Sequence, residues 1–323
     1  MTPEPLAGKL ARASLAPAMQ RPAVTSQPGL PPLTVFTSTV YPDVARIWYA
    51  CVRRAFPAGV RFEIFYDSEA GDLAAEDFPG AVILKRNATR REFHDAYNDA
   101  VRRAVTPYLA IVDSDVYWVS EQLWPQVEAE LKRPEVAAVS CISRSRRPSH
   151  GTYSVVLKPE IYRAALERLP AGFYPAAEYL DAKIPMSQWR WFDTGDVLTQ
   201  AVRDGGHEVI FHHLDKGGGI VRFYGITLSR RGGENLGEKW LAWVAGRDRY
   251  FWRGYACNLV LRRLYGRLFP ESPAYGFSFR ALPLAWRSLM AGLRMQLWRL
   301  RFIRQIWASA HKVEAFVTSA APK

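Results

Sequence analysis

The sequence predicts an α/β fold built on a mostly parallel sheet. Three observations predict it. Strand-like and helix-like stretches alternate from residue 33 to residue 143. One of the strands, YLAIV at 108–112, is apolar at nearly every position, as a strand covered on both faces must be. Thr37, Ser38, Asp67, Asp113 and Asp115 stand at or near the carboxyl ends of such strands, where open α/β sheets take their ligands.

Each element has its own local reason. LTVFTSTV (33–40) is rich in β-branched residues and lies between Pro31-Pro32 and Pro42, which marks a strand. Residues 42–56 set Val44, Ile47, Trp48, Cys51 and Val52 at helical spacing behind an initial proline. RFEIFYD (61–67) reads as a second strand ending on Asp67, and GAVILKR (80–86) as a third. Residues 91–105 form a helix stopped by Thr106-Pro107, and YLAIVD (108–113) is the fourth strand. A helix with Ser120 as its cap covers 120–133, and VAAVSCIS (136–143) is a further strand. Later, Thr199–Arg203 reads as a short helix ended by Gly205-Gly206, followed by the strand HEVIFHHL (207–214).

Composition narrows the function classes. Of 323 residues, 49% are hydrophobic, enough for a sizeable core. No uncharged apolar run reaches the roughly 18 residues that a membrane-spanning helix needs. Residues 1–32 are rich in Pro, Ala and Ser and lack a long apolar segment, so a disordered tail is expected rather than a secretory signal. Cys51, Cys141 and Cys257 are dispersed and odd in number, which fits neither a disulfide framework nor a zinc spacing. They suit a reducing cytoplasm.

The net charge of +12 is concentrated. Residues 247–312 hold 13 Arg or Lys against Asp248 and Glu271, while the rest of the chain has 30 basic and 29 acidic residues. A neutral body argues against a general nucleic-acid binder. The basic tail calls for an anionic partner of its own, such as a membrane surface.

The chemistry centres on Asp113-Ser114-Asp115. Burying charge is costly unless the charge is paired or bound to metal. Residues i and i+2 of a strand share a face, so a slight turn after Val112 lets both carboxylates reach one hard cation. Mg²⁺ and Mn²⁺ favour such oxygen ligands together with substrate phosphates. The competing possibility is a solvated loop and helix cap.

YLAIVDSD resembles the DxD strand of GT-A glycosyltransferases, close to the inverting family 2. An Asn commonly precedes the first Asp of that motif by fifteen residues, and Asn98 lies at that distance from Asp113. The resemblance covers about residues 33–225. It implies a GT-A fold, a nucleotide-sugar donor, and Mn²⁺ or Mg²⁺ on Asp113 and Asp115. It also implies that Thr37, Ser38, Asn98 and Ser114 serve the nucleotide, with Asp67 holding the base. FYDSEAG is poorer in Asp and Gly than the family's usual run at Asp67.

The acceptor half follows. Arg146, in the basic run Arg144–Arg147, could hold an anionic acceptor. Trp189 and Trp191 lead into Asp193-Thr194-Gly195-Asp196. In the resembled family an Asp at this place is the general base that deprotonates the acceptor hydroxyl. Here Asp193 and Asp196 replace the family's usual Glu-Asp pair. Either could be the base, and the other could cap the helix 197–203. His212-His213, ahead of Gly217-Gly218-Gly219, resembles the late His that some GT-A enzymes add to the metal, and His213 is the expected ligand.

The tail completes the expected organisation: a tail (1–32), a GT-A catalytic domain (33–245) and a basic amphipathic helical region (246–323). Within residues 283–310, Trp286, Leu289, Met290, Leu293, Leu297, Leu300, Ile303 and Trp307 share a helical stripe with Arg287, Arg294 and Arg301 beside it. That pattern suits a helix lying on anionic lipid. It also suits a helix packed on the catalytic domain. The first reading expects a bacterial enzyme bound peripherally to the cytoplasmic face of the membrane, with a lipid-linked glycan acceptor. Two rivals are a nucleotidyltransferase of activated-sugar synthesis and a membrane or nucleic-acid binding module. STVYPDVAR lacks the Gly-rich loop expected of the first rival, and the neutral body counts against the second.

Overall fold

The computed structural model describes residues 31–66, 73–85, 93–142, 151–174, 194–224, 226, 249–272 and 293–319. The strands are β1 (Leu33–Thr39), β2 (Arg61–Tyr66), β3 (Ala81–Lys85), β4 (Tyr108–Val112), β5 (Val116–Trp118), β6 (Val136–Ser140), β7 (Ser154–Leu157), β8 (Glu208–Phe211) and β9 (Ile220–Arg222). The α-helices are α1 (Pro42–Ala55), α2 (Phe93–Arg103), α3 (Leu123–Leu131), α4 (Pro159–Arg168), α5 (Asp196–Asp204), α6 (Arg249–Leu268) and α7 (Leu293–Thr318). The expected strands and helices of the first 143 residues are present, each within about three residues of its expected bounds at either end.

Seven strands form the main sheet in the order β3-β2-β1-β4-β7-β6-β8. All neighbours are parallel except those of β7, which runs antiparallel to both β4 and β6. The strand order reverses direction between β1 and β4. The crevice for a ligand in such a sheet opens outside the carboxyl ends of those strands. A second sheet pairs β5 with β9.

Side-chain alternation divides the core in two. Along β4, Ala110 and Val112 join one cluster, while Leu109 and Ile111 join the other. The first cluster is closed by Ile47, Trp48 and Val52 of α1, Val127 of α3, and Val260 and Leu261 of α6. The second is closed by Tyr97 and Val101 of α2, Tyr162 and Leu166 of α4, and Leu198 of α5. Helix α1 opens on Pro42 and Asp43 and ends on Arg53 and Arg54, each suited to its end of the helix dipole.

Several elements differ from expectation. SVVL, for which the sequence predicts no element, is strand β7, and α4 follows it. Four residues are too few to display a period. Helix α3 starts at Leu123, and Ser120 instead accepts the amide of Gln122 at 3.3 Å within the preceding turn.

The last helix packs onto the body. Phe302, Ile306, Ala310 and Val313 are buried in the first cluster, and α7 touches α1, α6 and β9. This stripe is offset by one residue from the expected one through Ile303 and Trp307, and Leu300 faces outward at 56% exposure. The helix runs on to Thr318, so Ala310 and Val313 set which face turns inward. Residues 283–292 of the expected lipid-facing segment lie outside the described residues.

Asn98 joins α2 to the turn after α4. It is 1% exposed. Its Nδ2 donates to the Ala171 carbonyl at 3.0 Å, and its Oδ1 accepts from the Phe173 amide at 3.0 Å. Gly172 between them has φ +56°, and a Cβ there would stand 2.2 Å from Asn98 Oδ1. Asn98→Ala removes both of these bonds, although the Ala171 carbonyl keeps the Tyr174 amide at 3.1 Å, and is expected to cost about 1–3 kcal/mol in urea unfolding. Gly172→Ala is expected to destabilise through the same contact.

Candidate active site

Asp113, Ser114 and Asp115 form a closed turn and not an extended pair. The Val116 amide donates to the Asp113 carbonyl at 2.9 Å across it. Neighbouring strands fix the turn from both sides. The Asp113 amide donates to the Tyr153 carbonyl at 3.0 Å, just ahead of β7, and the Phe223 amide donates to the Asp115 carbonyl at 3.0 Å, just after β9. The turn follows the carboxyl end of β4, beside the carboxyl end of β1 where Thr37 and Ser38 stand. Thr37 is fully buried, and its hydroxyl has no hydrogen-bond partner among the described residues.

The two carboxylates have different surroundings. Tyr97 of α2 donates its hydroxyl to Asp113 Oδ1 at 3.0 Å. Burial, with the Asp113 charge, holds the Tyr97 phenol well above its ordinary range, so it remains a donor. The Asp115 carboxyl is pushed up to about 7 by burial, with Asp113 adding to the rise; Arg222 and a backbone hydrogen bond act in the opposite sense. The turn thus crowds negative charge into a dry place and favours a cation beside it.

Arg222, at the end of β9, is paired in register with Val116 just past the turn. Its guanidinium lies 3.6 Å from the ring centre of Tyr153 and 4.6 Å from that of Tyr224. Burial opposes the Arg222 charge, but Asp115 above all, helped by Asp113, outweighs it and raises the affinity for the proton.

Helix α2 also fixes the start of α5. Within one turn of Tyr97, His94 Nε2 lies 3.3 Å from Thr194 Oγ1, and Asn98 holds the Phe173 amide. The Phe173 carbonyl accepts the Gly195 amide at 3.1 Å. Gly195 takes φ +83°, which suits a residue without a Cβ, and Asp196 follows as the first residue of α5. Asp196 is 7% exposed. It therefore opens the helix instead of capping it, and Gly195 is the cap residue.

The structure brings Thr37, Ser38, Asp113, Ser114 and Asp115 together at the carboxyl ends of the adjacent strands β1 and β4. Asn98 is spent on backbone, so it braces this region where a nucleotide contact was expected. His213 is a correction. The His212 amide donates to the Ser140 carbonyl, which sets this pair at the end of β8, three strands from β4 and about 14 Å away at ordinary strand spacing. Among the described residues no three His, Cys, Asp or Glu side chains gather to hold a metal. Two carboxylates remain, which suffices for Mg²⁺ or Mn²⁺ when phosphate oxygens and water complete the set. Asp67, Arg146, Trp189, Trp191 and Asp193 lie outside the described residues.

Three residues at the turn escape sequence reasoning: Tyr97, Tyr153 and Arg222. Tyr97 was hidden by its neighbour Asn98, which carries the spacing. Arg222 left one signal, a lone cation in the apolar run IVRFY.

The family model described as "Glycosyl transferase family 2" matches residues 69–178, about a third of the chain, and spans Tyr97, Asp113, Asp115 and Tyr153. No curated protein matches in sequence. Among solved structures, the chain is similar to the mannosyltransferase PcManGT from Pyrobaculum calidifontis, in complex with GDP-Man and Mn²⁺: 16% identity, 94% of this chain and 91% of that one, TM-score 0.41. It is similar to S. aureus TarS at 12% identity, over 87% of this chain and 54% of that one, TM-score 0.40. Glucosyl-3-phosphoglycerate synthase from Mycobacterium tuberculosis matches at 11% identity, over 55% and 69%, TM-score 0.38. The fold is α/β with a mostly parallel sheet, and residues 69–178 resemble family 2.

Tyr97→Phe removes the hydroxyl held against Asp113 and is expected to destabilise the protein by about 1–3 kcal/mol in chemical unfolding. Asp115→Asn removes a carboxylate whose charge is disfavoured by burial first and by Asp113 second. In metal-free buffer at neutral pH it is expected to raise the melting temperature by a few degrees, read by calorimetry.

Proposed function

We propose that this protein is a glycosyltransferase that moves a sugar from a nucleoside diphosphate sugar to an acceptor hydroxyl. The observation that carries the reading is the Asp113–Asp115 turn. Two crowded carboxylates stand at the switch point of the sheet, inside the stretch that matches family 2. A nucleotidyltransferase shares the sheet, but the family match favours transfer of the sugar.

In this reading Thr37 and Ser38 border the nucleotide at the end of β1, with Asp67 beyond β2 holding the base. Asp113 and Asp115 hold Mn²⁺ or Mg²⁺, which lends positive charge to the departing diphosphate when bound. Tyr97 keeps Asp113 oriented by its hydrogen bond. Asp193 or Asp196 accepts the proton of the acceptor hydroxyl. The brace from α2 to Thr194 and Gly195 supports Asp196 for this role, because a base must be held within reach of the hydroxyl it serves. Attack by that hydroxyl opposite the diphosphate inverts the sugar carbon. Trp189 and Trp191 offer rings for an acceptor sugar, and Arg146 a charge for an anionic one.

The donor nucleotide is read as UDP ahead of GDP. A lipid-linked acceptor, as in surface polysaccharide or glycolipid synthesis, follows from the basic region. Leu300 is exposed between α7 arginines, and Arg301 and Arg304 are exposed beside it. Anionic lipid complements such a face. No helix among the described residues is long and apolar enough to cross a membrane.

Calorimetric titration of UDP and GDP, with and without Mn²⁺, tests the donor. Tight binding of one of them that strengthens with Mn²⁺ is expected, and Asp113→Asn is expected to lower sugar transfer by at least about a hundredfold with the fold intact. Undiminished turnover in Asp113→Asn would sink the role given to the turn.

A further inference from the structure

We propose that Arg222 is a built-in receptor for the donor's diphosphate, a fixed cation that gives the site affinity for the anion without a divalent metal. This rests on the donor being a nucleoside diphosphate sugar, and it adds a cation that belongs to the chain itself.

Four observations support it. The β5–β9 register places Arg222 opposite Val116, one residue past the carboxylate turn. Its guanidinium lies against Tyr153 at 3.6 Å and near Tyr224 at 4.6 Å, so two aromatic rings hold it in place beside the turn. Its Nε is buried and has no hydrogen-bond partner among the described residues. A buried donor left unmade is costly, and a guanidinium presents its N–H groups as a fork that matches phosphate oxygens. Finally, the charges of Asp113 and Asp115 act on Arg222, so the three groups share one electrostatic site.

The arrangement has a chemical logic. Two carboxylates alone repel a diphosphate. Asp113 and Asp115 would need a bound divalent ion to offset that repulsion, and the help would last only while the ion stayed. Arg222 cannot leave. It is always charged, and the tyrosines already hold it in place, so little side-chain entropy is lost when an anion arrives. The phenol of Tyr97 and the backbone bonds to Asp113 and Asp115 keep the carboxylates from moving away from it.

The test is isothermal titration of inorganic pyrophosphate, UDP and GDP into the full chain in EDTA, and then in Mn²⁺. In EDTA the wild type is expected to bind pyrophosphate and one diphosphate measurably. Arg222→Gln is expected to weaken both by about tenfold or more, the scale of one charge-assisted hydrogen bond. Arg222→Lys keeps the charge and loses the fork, and an intermediate loss is expected. Circular dichroism melts check that each variant is folded; should Arg222→Gln unfold, Arg222→Lys carries the comparison. Unchanged pyrophosphate affinity in the folded variants, or nucleotide binding that appears only with Mn²⁺ and ignores Arg222, overturns the proposal and leaves the donor reading standing. Arg222-dependent pyrophosphate binding without binding of UDP or GDP in either buffer upholds the anion site and overturns the donor assignment.

Discussion

Like charge confined at the end of a dry strand is the constraint around which this protein is arranged. Strand β4 is buried on both faces, so the chain leaves it where water is scarce, and there it makes a turn with a carboxylate at each end. A lone pair of aspartates would drift toward solvent. Here the turn is held on one side by the segment entering β7 and on the other by the segment leaving β9, with Tyr97 beneath it and Arg222 alongside. The antiparallel strand β7 has a clear use in this light. A parallel strand in its place would present its amino end elsewhere, and Tyr153 could not meet Asp113.

The parts of the fold with strong local causes could be read from the sequence. YLAIV must be apolar because both core clusters claim it. Helix α1 declares itself through Pro42 and the spacing of Val44, Ile47, Trp48, Cys51 and Val52. Asp113 and Asp115 were legible because a charge next to such a strand needs a reason. Arg222 was not, since its position depends on a pairing between β5 and β9, segments about a hundred residues apart in a fold of this kind. His213 misled for the same cause. Its place after a strand is visible in the sequence, but the order of strands that carries it to the far side of the sheet is not. In α7 the apolar pattern was visible, but its facing was set by residues beyond the stretch that drew notice.

Helix α2 links the two halves of the site. One face of one turn bears His94, Tyr97 and Asn98, which reach respectively to Thr194, Asp113 and the Ala171–Phe173 backbone. The carboxylate turn and the start of α5 are thereby referred to a single rigid body. Carboxylates placed on separate flexible loops would have no fixed relation to each other. The cost is intolerance: Gly172 has no room for any other side chain.

The burial of α7 bears on how the chain is made. Phe302, Ile306, Ala310 and Val313 complete a cluster whose other members, from Leu33 to Tyr265, are synthesised earlier. A nascent chain that has already delivered both aspartates and Arg222 from the ribosome still carries an open apolar flank over α1 and β9. The sheet can form first, but this core cluster is closed only when α7 docks. Until then the flank is a surface for chaperones, and a ribosome that stalls before residue 302 releases a protein with both aspartates and Arg222 present and its core unsealed.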